Sequence, residues 1–261
     1  MYSHLEKRLQ DYSNYKDFIK QVVYLENVDS TNNYALSMNP KEEGVFIIAK
    51  SQTGGRGRND RYWHSMEGKS IAMSAIINYP KLADPPPSLI SLLSANAVLD
   101  TLSSFNLQPK VKWPNDVLVN SNKIAGILCE SNYEKDSKNF IIVGIGINVN
   151  LDEKDFLHEG ANYAISPTSI SIELRKQSSL EDIAYKLIDS FCFWMHEYKR
   201  NNPSRIIEFW EENWNDKNKE VSIIKNDKLL TGIAKSITSK GELILEVENN
   251  IELINSGEIK I

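Results

Sequence analysis

Residues 52–61 read QTGGRGRNDR, and no regular element accommodates that stretch. Glycines at 54, 55 and 57 open backbone conformations that other residues rarely reach and let N–H groups approach an anion. Arginines at 56, 58 and 61 add planar, permanently charged donors suited to carboxylate and phosphate. The stretch is therefore a loop. It separates apolar runs at Val45–Lys50 and Ser70–Asn78 that read as strands, so the chain must build a sheet that carries a polar, glycine-rich loop. Such a loop suits two anionic reactants whose repulsion would otherwise oppose reaction. Taken alone, it fits equally well a solvated basic loop, or a nucleic-acid contact with Tyr62 and Trp63 as stacking platforms. The net charge of −5 weighs against a broadly nucleic-acid-binding surface.

The flanking pattern predicts an α+β chain. Residues 1–20 read as a short helical or frayed lead. Val22–Leu25 is a strand, and Asp29 or Ser30 caps a helix running to Met38. Residues 79–87 form a proline-rich connection, and Ser88–Phe105 has helical periodicity through Leu89, Leu92, Leu93, Val98, Leu99 and Leu102. Lys110–Lys112 is a strand, and Val117–Val119 with Ile124–Glu130 forms a hairpin around Asn120–Lys123. A polar patch at 131–139 precedes a strand over Phe140–Asn148. Ser179–Arg200 is the clearest helix, with Ser179 and Asp182 as a capping pair, and Pro203–Trp214 is another. After Trp214 come short β-like runs broken by Asn226-Asp227, Lys240-Gly241 and Asn249-Asn250, which predict a small all-β barrel. At 261 residues the chain has ample length for a large domain plus such an appendage.

The chain has no signal-peptide or membrane-spanning pattern, so a cytoplasmic location is expected. Cys129 and Cys192 lack metal-ligand spacing and are expected in the core, and the four histidines form no cluster.

Three further segments can carry chemistry. In Lys112-Trp113-Pro114-Asn115-Asp116, the side chains of Asn115 and Asp116 offer oxygens of the kind Mg²⁺ accepts beside phosphates, unless the segment is a turn around a buried tryptophan. Lys123, at the hairpin end, can neutralise charge on a phosphoryl or acyl oxygen, and Gly126 permits close approach of a ligand. Gly144-Ile145-Gly146-Ile147-Asn148 is neither a dinucleotide fingerprint nor a P-loop; its polar end either lines a site or closes a strand. Ser30-Thr31-Asn32 can bind a polar ligand head or simply cap a helix.

The order of these segments is more informative than any one of them. Ser30-Thr31-Asn32, QTGGRGRNDRYW at 52–63, KWPND at 112–116, KIAGIL at 123–128 and GIGINVN at 144–150 together resemble the biotin–protein ligase family. The resemblance implies a mixed-sheet catalytic domain with flanking helices, class II synthetase-like, over 21–215. It also implies an SH3-like β-barrel over 216–261, with 1–20 as the lead. The implied activity is two-step: biotin and ATP, with Mg²⁺, give biotinyl-5′-AMP, and a lysine of a biotin carboxyl carrier domain then takes the biotin.

By the same resemblance Ser30, Thr31, Asn32, Gln52, Gly55, Arg56, Gly126 and Leu128 contact biotin. Arg56, Arg58, Trp63, Asn115, Lys123 and Asn148 face the nucleotide. Lys123, Arg58, Arg61 and Asp116 are catalytic, and Asp116 is the candidate Mg²⁺ ligand. The family's further glycine in the arginine loop is replaced here by Asn59-Asp60. Both residues tolerate left-handed backbone, although Asp60 lowers the local positive charge. The loop is expected to be mobile when empty and to close over the adenylate. Only about 20 residues precede the catalytic region, too few for the winged-helix repressor domain of some relatives, so DNA binding is not expected. A homodimer is compatible with the family. A lipoate-transferring enzyme of the same superfamily and a biotin-binding pseudoenzyme are the remaining rivals.

Overall fold

The computed structural model describes residues 2, 4–79, 88–132, 139–157, 163–225, 228–257 and 259–260. The proline-rich connection, most of the polar patch and the Asn226-Asp227 turn lie outside the described residues.

The chain opens with α1 (Leu5–Tyr12), β1 (Gln21–Val28), α2 (Thr31–Ser37), β2 (Val45–Gln52) and β3 (Ser70–Tyr79). Next come α3 (Leu89–Ser104), β4 (Lys110–Lys112), β5 (Asp116–Val119), β6 (Asn122–Asn132) and β7 (Asn139–Asn148). These strands form one sheet in the order β1-β2-β3-β7-β6-β5-β4. The β1–β2 pair is parallel and every other neighbour antiparallel, so the sheet is mixed.

Side chains alternate between the two faces of each strand. Ile48, Met73, Val143, Ile145 and Ile127 enter the main core under the helices, whereas Ile47, Ile76 and Ile142 turn the other way, toward Ala35 of α2. Helices α4 (Ile170–Leu174), α5 (Leu180–Lys199) and α6 (Pro203–Glu212) complete this part. The Ser179 hydroxyl caps α5 by accepting the Asp182 N–H at 3.2 Å.

Helix α3 lies where the periodicity put it, and, packed between the sheet, α5 and α6, it is buried on nearly every side. Its buried polar groups Ser94, Asn96 and Thr101 each donate to a backbone carbonyl, which makes that burial tolerable. Helix α6 ends at Glu212, and Trp214 instead bridges Val111 of β4. Cys192 is buried in the core, as expected. Gln52 belongs to β2, and the loop that follows contains a 3₁₀ turn over Arg58–Asp60.

The last segment folds as β8 (Glu220–Lys225), β9 (Lys228–Ile237), β10 (Leu243–Val247), β11 (Asn250–Ile254) and β12 (Ile259–Lys260). It forms the small antiparallel, SH3-like unit in the order β11-β10-β9-β8-β12. Its β10–β11 turn is made by Glu248 and Asn249, both with positive φ, one residue earlier than the sequence suggested.

Candidate active site

A cavity of about 390 Å³ opens on the sheet face opposite α3. Its floor consists of small residues because larger ones would collide with what crosses above. In one register row lie Ser74, Gly144 and Leu128, and in the next Ala72, Gly146 and Gly126. A Cβ on Gly144 would stand 2.5 Å from Asn32 Oδ1, and one on Gly146 would stand 2.5 Å from Trp63 Nε1. Both separations are far inside van der Waals contact, so the paired glycines of the GIGIN segment let Trp63 and Asn32 lie against the sheet.

At one end, α2 starts over Ser74. Ser30 occupies the N-cap position but makes no capping bond. Gln52 of β2 takes that role: its Oε1 accepts the Thr31 N–H at 2.8 Å and the Thr31 hydroxyl at 3.1 Å. Ser74 Oγ lies 2.7 Å from Thr31 Oγ1 and 2.6 Å from Asn32 Oδ1. The Asn32 amide donates to Glu130 at 2.7 Å, and Glu130 also pairs with Arg56 at 3.0 Å. The neighbouring Asp29 accepts the Asn33 amide at 2.6 Å, which with the Ser30 backbone holds its carboxyl below the usual range.

The arginine loop is internally bonded. Gly57 N–H donates to Arg61 O at 2.7 Å, Trp63 N–H to Gly55 O at 2.9 Å, and Arg56 bridges Tyr62. Asn59 sits in the left-handed region at φ 54°, the conformation expected to be tolerated there. Arg58 reaches from this loop to Asn115 Oδ1 at 3.4 Å. Asn115 is itself fixed to Ile127 by two bonds, its side-chain amide donating at 2.7 Å and its carbonyl accepting at 3.0 Å.

At the other end, Lys123 Nζ lies 2.6 Å from Asp116 Oδ1 and 5.6 Å from the centre of the Trp63 ring. The Asn120-Ser121 turn, with both φ values positive, closes the β5–β6 hairpin. Asn148 ends β7, buried, with its amide on Thr168 O at 2.9 Å.

The cavity lining thus gathers Ser30, Thr31, Asn32, Gln52, Arg56, Arg58, Arg61, Trp63, Asn115, Asp116, Lys123, Gly126, Leu128 and Asn148. Gly55 stands behind the lining, wedged between the Trp63 backbone and the Gln52 amide. Gly126 lies under Trp63 and beside Lys123, whereas Leu128 lies one row nearer Asn32. The sequence reading missed Ser74 and Glu130, and it gave Lys112 no role of its own within KWPND. Ser74 is a polar residue in an apolar strand, and Glu130 continues the alternation of Gly126 and Leu128; both were available signals.

A seven-stranded mixed sheet that carries a cavity rich in guanidinium and ammonium groups suits a reaction between two anions. Residues 24–148 match the Biotin/lipoate A/B protein ligase family, and residues 218–261 match the Biotin protein ligase C terminal domain. The chain is 31% identical to the bifunctional ligase/repressor BirA of Bacillus spizizenii over 93% of its own length and 74% of that protein. It is 27% identical to the biotin–[acetyl-CoA-carboxylase] ligase of Paracoccus denitrificans, over 90% and 98% of the two chains. The biotin protein ligase of Aquifex aeolicus in complex with biotin and ATP superposes with a TM-score of 0.79 at 28% identity, over 92% and 98%. The chain belongs to the biotin protein ligase family.

Proposed function

We propose that this cavity binds biotin at its Ser30–Gln52 end and ATP toward Trp63 and Lys123, and that the chain joins them before biotinylating a carrier protein. The chain is an ATP-dependent biotin–[biotin carboxyl carrier protein] ligase. The observation that carries the residue assignments is the convergence of Arg58, Lys123 and Asp116 on one small-residue floor beside a hydroxyl- and amide-lined recess. The Ser30 hydroxyl, relieved of capping by Gln52, is placed to bond a polar ring head; Thr31 and Asn32 are held rigid by Ser74 and Glu130.

In the first step a biotin carboxylate oxygen attacks the α-phosphorus, and the bond to the β-phosphate bridging oxygen breaks. Arg58, Arg61 and Lys123 stabilise the charge gathered there and offset the repulsion between the two anions. Trp63 packs on the adenylate. In the second step the carrier lysine attacks the acyl carbon and AMP leaves, with Asp116 orienting the incoming amine.

Mg²⁺ fits this site as an ion carried in by the nucleotide. No group of three or more metal-ligating side chains occurs among the described residues, and Asp116 is the one carboxylate among the described residues lining the cavity. A single carboxylate with phosphates and water is an ordinary Mg²⁺ environment, in which the ion neutralises triphosphate charge. Among the described residues no helix is long and apolar enough to cross a membrane; we place the reaction in the cytoplasm, where ATP and carrier meet. The test is biotin-dependent ATP–pyrophosphate exchange, followed by transfer to an isolated carrier domain. Exchange supported by lipoate and not by biotin would overturn the assignment.

A further inference from the structure

The ladder that positions Asp116 also positions a residue the preceding mechanism does not use. Lys112 of β4 is directly opposite Asp116 of β5, so the two side chains share the cavity face. The same row continues through Gly126 and Gly146, the floor beneath Trp63. Lys112 therefore stands at the outer end of a straight row running from the indole, past Asp116, to the rim of the sheet.

Its environment is unusual for a lysine. Lys112 is 6% exposed, yet it lines the cavity. Asp116, the nearest carboxylate along the row, is engaged by Lys123 at 2.6 Å. The buried Asp216, on the segment that follows the Val111–Trp214 bridge, takes its bond from the Asn215 amide. Among the described residues Lys112 has no ion-pair or hydrogen-bond partner. The stem of Lys112 is buried while the residue lines the cavity, so its ammonium is available to an anion bound there. With Asp116 taken by Lys123, Lys112 is the cation of this row left to meet an incoming anion, and the outer phosphates of a nucleotide are anions of the kind an ammonium binds.

Resting on the ligase reading, we propose that Lys112 binds the β- and γ-phosphates of ATP and holds pyrophosphate as it departs. When the carboxylate oxygen bonds to the α-phosphorus, the electron pair of the breaking bond moves onto the bridging oxygen. The pyrophosphate gains that negative charge, and the ammonium facing it stabilises the charge as it develops. Lys123 serves the α-phosphoryl group and acyl oxygen in both steps, whereas Lys112 serves only the first.

The experiment separates the two half-reactions in the full chain. Lys112→Met keeps the stem length and removes the charge; Lys112→Arg keeps the charge. We expect Lys112→Met to raise the KM for inorganic pyrophosphate and to lower biotin-dependent exchange about 10²-fold, the range for loss of one charge-stabilising group. Biotin affinity, and transfer from preformed biotinyl-5′-AMP to an isolated carrier domain, stay at wild-type values, and Lys112→Arg recovers part of the exchange. Wild-type exchange and pyrophosphate KM in Lys112→Met would overturn the proposal, as would equal loss of exchange and transfer with biotin affinity retained. Failure of the wild-type chain itself to exchange with biotin would instead overturn the underlying assignment.

Discussion

Lys123 and Asp116 form a 2.6 Å ion pair because the strands that carry them are out of simple register. Val117 pairs with Ala125, but Leu118 pairs with Lys123, leaving Ile124 as an extra residue in β6. Without that bulge Lys123 would oppose Val119 and enter the core with it. The bulge keeps Ile124 buried and swings the ammonium onto the cavity face.

This geometry makes Lys123 the group whose loss should be felt most in adenylation. Lys123→Ala is expected to lower biotin-dependent ATP–pyrophosphate exchange about 10²–10³-fold. The thermal midpoint should stay near wild type, because the residue is part-exposed and its pairing contributes little to folding. Exchange assays beside a melting curve check both halves, and wild-type exchange would remove Lys123 from the chemistry.

Gly146→Ala tests the floor. The added methyl must displace either the strand or the Trp63 indole, a clash costing about 1–3 kcal/mol. We expect a matching loss of affinity for biotinyl-5′-AMP, measured by calorimetry, with biotin affinity less affected. Equal weakening of both ligands would mean that the whole sheet, and not Trp63, had moved.

Glu130 ties two parts of the site together, taking the Asn32 amide on one side and Arg56 on the other. Glu130→Ala should release both and raise the biotin Kd about tenfold, equivalent to ~1.4 kcal/mol. Biotinyl-5′-AMP should also dissociate faster in a stopped-flow chase. Unchanged affinity with faster dissociation of neither ligand would show that Asn32 and Arg56 hold their places unaided.

Acid should undo one local interaction first. The Asn33 bond, with the Ser30 backbone, depresses the Asp29 carboxyl below its ordinary 3.8, so the stabilisation it gives is complete above that value. It is lost as pH falls through the folded-state value, where the native carboxylate becomes protonated. Wild type should therefore exceed Asp29→Asn in stability by a constant margin near neutrality, and that margin should shrink at lower pH, below the normal carboxylate range. Urea melts at several pH values decide it; a margin that widens in acid contradicts the linkage.

Much of the site was legible because its polar residues fall in compact segments. QTGGRGR, KWPND and KIAGIL announce themselves by composition and spacing, and the turn-broken tail after Trp214 announces a small β-unit. What could not be read depended on partners distant in sequence. The bulge at Ile124 carries no glycine or proline to mark it. The need for Gly144 and Gly146 is visible only once Asn32 and Trp63 are seen crossing above them. Lys112 was read as part of a motif, yet its burial and its place opposite Asp116 follow from strand pairing. The burial of α3 on nearly every side is equally hidden in the sequence, because only the bonds of Ser94, Asn96 and Thr101 to carbonyls show how its polar positions can be covered.

Gln52, which caps α2 from a neighbouring strand, bears on the order in which the chain assembles. A helix of seven residues does not persist alone in water, and this one lacks a cap from its own Ser30. Its first turn therefore becomes stable only after β1 and β2 have paired and delivered the Gln52 side chain. The biotin-facing hydroxyls would then be among the last features to form during folding, and the first to be lost when the strand pair frays.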